Sequence, residues 1–350
     1  MRVLIVKISA LGDVVHALPV LAYLKEAHPE IKIDWLVEEG FAPLIEGHPM
    51  LRRVYRLGLK RWRREGWRSV LAGVKSTVHE LRNERYDMVL DLQGNCKSGL
   101  FTLLCGAPRR YGFSFSGVRE WPNLLATNRR VVLTAADHHI SDRSLAVARE
   151  AFPVGNARSA AGPLHVTPQA RTAVEKQLGS FNMNGPSLVV LQYGTTWETK
   201  LWPLDSWQRL ARTLCTEDNL RPVLIWGNEA ERDAAEAIYR ATDGQAVIWP
   251  RGTLQELAAL LERADLVIGG DTGPIHIAAA LDTPTVSIFR VTDGSRNGPR
   301  GPLHIRLQSP LECSPCLQKS CPRDAECGHS ITVNQVLDAT RKQLKRQGQQ

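Results

Sequence analysis

The 350-residue chain holds no apolar run approaching the roughly 18 residues that a membrane-spanning helix needs, so no such helix is expected. Its apolar start is interrupted by Lys7, Asp13 and His16 and lacks a small-residue cleavage signature. Residues 3–6 therefore read as a buried strand rather than a signal peptide, and the cytoplasm is the expected location. Repeats of the solenoid kind are absent. No Asp-x-Asp pair falls at a strand end, so chemistry that leans on a carboxylate-held divalent metal is not expected, nor is any cofactor. Of seven cysteines, Cys313, Cys316, Cys321 and Cys327 crowd together, but without the paired CxxC…CxxC spacing of a zinc site. A metal site, idle thiols and a redox-labile loop all remain open for them. Cys96, Cys105 and Cys215 read as scattered small apolar residues of a reducing compartment.

What the chain does have is size, a basic balance and a rhythm. Its length suits two domains, and 43% hydrophobic with 23% charged residues is a globular composition. A net charge of +8 favours an anionic partner: nucleic acid, a membrane surface or a phosphorylated substrate. β-rich runs at 2–8, 31–37, 54–57, 88–93 and 130–134 alternate with helical patterns such as 14–27 and 69–84. The second half repeats this, with strands predicted at 187–193, 222–227, 246–249, 265–269 and 285–289. Helices are predicted there at 204–216, 229–241, 254–263 and 274–281. Such alternation predicts doubly wound α/β domains with parallel sheets, facing each other across a cleft and binding ligands at the carboxyl ends of the strands. The expected division is 1–165, 166–335 and a basic tail over 336–350, with the connection inside the Gly-, Pro-, Ala- and Ser-rich stretch 153–168.

Three loops of the second half carry chemistry. After the strand at 265–269, Gly270-Asp271-Thr272-Gly273-Pro274-Ile275-His276 reads as a tight turn into a helix. Thr272 is placed to cap it, Gly273 to let a ligand approach, and the free N–H groups suit a diphosphate. The plainer reading is a capped helix with a packed histidine at His276. After the strand ending at Tyr193, Thr195, Thr196 and Lys200 offer two hydroxyls and an ammonium to a phosphate. After a third strand, the loop at Gly227 leads to Glu231, a carboxylate able to bind sugar or ribose hydroxyls.

In the first half, Asp13 follows the first strand directly. It suits a general base and equally an N-cap for a helix starting at Val14. Lys60-Arg61-Trp62-Arg63-Arg64-Glu65-Gly66-Trp67-Arg68 sets five cations against one anion among tryptophans. It fits an anionic acceptor, acidic headgroups or a nucleic acid, while a solvated helix face is the ordinary alternative.

Together these segments resemble the ADP-heptose:lipopolysaccharide heptosyltransferases of glycosyltransferase family 9, inverting enzymes of the two-Rossmann GT-B fold. The carriers run from Lys7-Ile8-Ser9-Ala10-Leu11-Gly12-Asp13-Val14-Val15-His16 through Asp34-Trp35-Leu36-Val37-Glu38-Glu39-Gly40-Phe41, Arg61-Trp62-Arg63 and Asp91-Leu92-Gln93-Gly94. Thr195-Thr196…Lys200-Leu201-Trp202-Pro203 and Asp271-Thr272-Gly273 with His276 complete them. The likeness spans residues 1 to about 300 and is greatest to the type I members. It implies Asp13 as catalytic base, and Thr195, Thr196, Lys200, Glu231, Asp271, Thr272, Gly273 and His276 as contacts of an ADP-heptose donor. Lys60, Arg61, Arg63, Arg64 and Arg119 would hold a Kdo-lipid A acceptor. The implied setting is a monomer at the cytoplasmic face of the inner membrane, touching its anionic surface, with no nucleic acid. Gly252 departs from the apolar residue of type I members near the adenine, and the cysteine-bearing end resembles type II-like members instead. Transfer to a later core sugar, a nucleotide-sugar epimerase and a non-enzymatic anionic-surface or nucleic-acid-binding protein are the rival readings.

Overall fold

The computed structural model describes residues 1–153, 164–183 and 187–347. The connection predicted over 153–168 lies largely outside them. The chain forms two compact units, Met1–His165 and Val166–Gln350.

The first unit holds a six-stranded sheet: β1 (Arg2–Val6), β2 (Lys32–Glu38), β3 (Arg53–Leu57), β4 (Met88–Asp91), β5 (Arg109–Phe113) and β6 (Arg129–Val131). Every pairing is parallel, in the order β3-β2-β1-β4-β5-β6. The second unit repeats the plan with β7 (Val189–Gln192), β8 (Val223–Leu224), β9 (Val247–Ile248), β10 (Leu266–Gly270), β11 (Thr285–Phe289) and β12 (His304–Gln308). Its order is β12-β11-β10-β7-β8-β9, again all parallel. Both orders are the doubly wound 3-2-1-4-5-6 arrangement, so each sheet reverses its winding between its first and fourth strands, β1/β4 and β7/β10. The loops leaving those strands at their carboxyl ends diverge and open a crevice.

The central strands are buried on both faces. Val3, Leu4, Ile5 and Val6 have no exposed surface, nor do Val189, Val190 and Leu191. That is why they read as unbroken apolar runs rather than alternating ones. The covering helices show the complementary stripe: on Leu204–Thr216, Ser206, Trp207, Leu210, Ala211, Leu214 and Cys215 are the buried positions, one face of a 3.6-residue repeat.

Three expectations change. The helix predicted over 14–27 is two, Leu11–Ala17 and Pro19–Ala27. Pro19 has no N–H to continue the first helix and suits the opening turn of the second. The residues read as a basic tail are, as far as 347, the helix Val333–Gln347. Its Val336, Leu337 and Ala339 belong to the apolar core of the second unit, while its cations face outward, so it is part of that domain. The strands β5 and β12 were not foreseen. No helix among the described residues is long and apolar enough to cross a membrane.

Candidate active site

In the second unit, the predicted residues gather at the β7/β10 crevice. Lys200 Nζ donates to Asp271 Oδ2 at 2.7 Å and to the Asp271 carbonyl at 3.3 Å. The other carboxylate oxygen of Asp271 faces His276 Nε2 at 3.2 Å. Burial alone pushes the Asp271 carboxyl up, but the hydrogen bonds and charges of His276 and Lys200 override it and hold it well below the usual carboxylate range. A depressed carboxylate contributes stability above its unfolded pKa of about 4, and loses it only as pH falls through the lower folded value. The ion pair is thus intact across the neutral range.

The helix Gly273–Ala280 begins without the cap expected of Thr272, whose side chain makes no capping bond. With Asp271 turned to Lys200 and His276, the Thr272 side chain makes no cap bond, and the positive end of the helix suits an anion. A tight sheet brings the two loops together. A Cβ on Gly269 would meet Gln192 Cβ and its carbonyl oxygen at 2.9 Å each. Gln192 in turn bonds the Gly194 carbonyl at 2.8 Å, fixing the loop that leads to Thr195 and Thr196.

Glu231 lies in the first turn of the helix Glu229–Ala241, capped by Asn228. Its Oε2 accepts from the Gly227 N–H at 2.7 Å, and its carboxylate occupies the space a Cβ on Gly194 would need. The crevice therefore combines an ammonium, an imidazole, an open helix start, half-buried Thr195, exposed Thr196 and a carboxylate. An ammonium and free N–H groups bind phosphate, and a nearby carboxylate binds sugar hydroxyls. Trp202 anchors the floor of this loop, buried against Trp207 with its Nε1 bonded to the Ile331 carbonyl at 2.9 Å.

In the first unit, Asp13 sits at the β1/β4 crevice but not as an N-cap of a helix beginning at Val14. The helix starts at Leu11, and Asp13 is its third residue, where Oδ2 accepts the Ala10 N–H at 3.2 Å. The carboxylate is only partly buried, with one oxygen beyond that bond. The backbone around it is held firmly. Gln93 Oε1 accepts from both Ile8 N–H and Ser9 N–H at 3.1 Å, tying the β4 loop to the β1 loop. Buried Lys7 donates to the Leu92 carbonyl at 2.9 Å; burial pulls its ammonium down while the Asp13 and Asp91 charges pull it up. Below them, buried Asp91 accepts from Ser98 at 2.9 Å and Asn123 at 2.7 Å, and burial pushes its carboxyl up. The supporting parts played by Lys7, Gln93 and Asn123 were not read from the sequence; an ammonium ending an apolar strand was the available signal at Lys7.

The predicted cations divide. Arg119 is exposed beside the β4 loop, its N–H bonded to the Gly94 carbonyl at 3.0 Å, and its charge is felt at Lys7. Lys60, Arg61, Arg63 and Arg64 lie on the helix Leu59–Glu65 after β3, two strands and roughly 10 Å from β1. Arg61 pairs with Glu39 at 3.2 Å and Glu65 at 3.4 Å, so the cluster is less one-sided than its local sequence. Glu39 lies 22 positions away and could not be counted from the run itself. Trp62 is buried against Gly73, whereas Trp67 is exposed.

Comparison with known proteins places this geometry among relatives. Residues 74–326 match glycosyltransferase family 9 (heptosyltransferase). Lipopolysaccharide heptosyltransferase 1 of Pseudomonas aeruginosa is 37% identical over 322 residues, 92% of this chain and 87% of the relative. That of Escherichia coli K12 is 32% identical over 317 residues, 89% of this chain and 95% of the relative. Among solved structures, the E. coli heptosyltransferase WaaC with ADP superposes with a TM-score of 0.79 at 28% identity, covering 98% of this chain and all of that one. The same enzyme with ADP-2-deoxy-2-fluoro heptose gives 0.77 at 28% identity, covering 98% and 99%.

Proposed function

The chain belongs to glycosyltransferase family 9, the heptosyltransferases, and from that premise we propose that it moves a heptose from ADP-L-glycero-D-manno-heptose to the Kdo-lipid A inner core of lipopolysaccharide, with inversion. The observation that carries this reading is the Lys200–Asp271–His276 constellation beside an uncapped helix start. It is a site built for a nucleoside diphosphate, in a chain whose relatives include an enzyme solved with ADP and with a fluorinated ADP-heptose.

In the proposed reaction, Asp13 takes the proton from an acceptor hydroxyl, and the oxygen attacks the anomeric carbon of the heptose. The bond to ADP breaks as charge builds on its diphosphate. Lys200, the Thr195 and Thr196 hydroxyls and the N–H groups at Gly273 and beyond meet that charge; because they are in place beforehand, little reorganisation is needed as it develops. Asp271 positions Lys200 and His276, and Glu231 takes hydroxyls of the nucleotide sugar. Arg119, with Lys60, Arg63 and Arg64, holds the anionic acceptor, while Arg61 orders its helix through Glu39. Incubation with ADP-heptose and Kdo-lipid A should release ADP only when both are present. Release without acceptor would favour a hydrolase or epimerase. No release, with salt-sensitive DNA binding, would overturn the assignment.

The same reading includes peripheral contact with an anionic membrane at the cytoplasmic face. Two surfaces of the first unit support it. Trp67 and Leu71 are exposed beside Lys60, Arg63 and Arg64. Leu100, Leu103, Trp121 and Leu125 are exposed on two short helices that pack together through Gly99 and Asn123, flanked by Lys97, Arg129 and Arg130. Exposed apolar groups with a cationic fringe suit an anionic lipid interface. The protein should sediment with phosphatidylglycerol vesicles at about 0.1 M salt and be largely released at about 1 M. Trp121→Ser with Leu125→Ser should weaken that binding about tenfold. Equal binding by the double variant would remove this surface from the contact.

A further inference from the structure

The segment that carries Cys313, Cys316, Cys321 and Cys327 forms no metal cage: among the described residues no three His, Cys, Asp or Glu side chains come together to hold an ion. Its contacts lead elsewhere. The N–H groups of Cys316 and Leu317 donate to the Val291 carbonyl at 3.1 and 2.9 Å, docking the segment behind β11. Thr199, buried, donates its hydroxyl to the Gln318 carbonyl at 2.7 Å. Buried Arg290 bridges the Leu201 carbonyl and the Asp324 carboxylate, the latter at 2.8 Å. A Cβ on Gly328 would meet Pro203 Cγ at 2.8 Å. The segment thus grips the residues on both sides of Lys200.

It also delivers a charge. Lys319 Nζ lies 5.0 Å from the centroid of the Trp197 ring, and Lys200 Nζ lies 4.9 Å from the same centroid. The two ammonium groups share one indole, an arrangement the ring's electron-rich faces favour. They differ in one respect. Lys200 is neutralised by Asp271 at 2.7 Å, whereas Lys319 is exposed and pairs with no carboxylate among the described residues. A diphosphate carries more than one negative charge, and a Lys200–Asp271 pair supplies no net charge to balance it. Among the described residues, Lys319 is an uncompensated cation that shares the Trp197 ring with that pair.

We propose that Lys319 is a second phosphate-binding cation of the nucleotide-sugar site, presented by the cysteine-bearing segment and held at its spacing from Lys200 by Trp197. It takes the terminal phosphate of the diphosphate. The proposal rests on the donor-site reading above, and titration calorimetry with ADP and AMP separates the two. For Lys319→Met, ADP affinity should fall about fivefold and AMP affinity by less than about twofold, and Lys319→Arg should restore ADP affinity. Unchanged ADP affinity, an equal loss for ADP and AMP, or no rescue by arginine would each overturn the role. If the unaltered protein bound neither nucleotide, the donor-site reading itself would fall, and this proposal with it.

Discussion

Asp13→Asn should cut turnover by about 10²- to 10⁴-fold while leaving nucleotide binding nearly untouched. An asparagine oxygen can still accept the Ala10 N–H, as Asp13 Oδ2 does at 3.2 Å, so the helix start at Leu11 keeps its local bond. What the amide lacks is the ability to take a proton. A general base contributes roughly 10²- to 10⁴-fold, so kcat should fall by about that much while ADP affinity shifts less than about twofold. Asp13→Ala should lose as much activity and, in addition, about 1 kcal/mol of stability with the bond from the Ala10 N–H. Should asparagine retain near-normal turnover, Asp13 would be a helix-start residue only. Lost ADP binding would make it a donor contact.

Lys200→Met should show the opposite split. Its ammonium faces the proposed diphosphate, so binding and chemistry should both suffer: ADP affinity by about tenfold and kcat/KM by about 10²- to 10³-fold. The substitution also strips buried Asp271 of its closest counter-charge, and breaking such a pair costs about 3–5 kcal/mol. Thermal unfolding is therefore measured alongside. Lys200→Met combined with Asp271→Asn removes the orphaned charge, and should recover much of the lost Tm without recovering activity. Recovery of both would mean that Lys200 serves the fold and not the reaction.

These residues were legible in the sequence to different depths. The helices Leu204–Thr216, Glu229–Ala241 and Leu254–Arg263 and the strand Thr285–Phe289 coincide with the sequence expectation, because each is bounded by a turn residue and carries an unambiguous period. The strands Arg109–Phe113 and His304–Gln308 were invisible for a physical reason. One opens on two arginines, and the other is a five-residue edge strand of polar and apolar residues in alternation, none of them fully buried. The loops at Asp13, Lys200 and Asp271 stood out because they follow buried strands and carry groups that a purely structural turn does not need.

What joins those loops could not be read locally. Lys200 meets Asp271 across 71 positions, and Gln93 reaches back 85 to bind the Ile8 N–H. The capping role expected of Thr272 failed for a related reason: a motif names residues able to cap, but the neighbouring charges decide where Asp271 points. The cysteine cluster shows the same limit. Its spacing drew attention to thiols, whereas the backbone between them does the work of bracing the Lys200 loop.

Transfer of a heptose is read from the mass of the acceptor. After incubation with ADP-heptose, Kdo-lipid A should gain the mass of one heptose residue, with ADP formed in equal amount and both products formed at least about 10²-fold more slowly with Asp13→Asn. ADP formed while the acceptor keeps its mass would rule out heptose transfer to it.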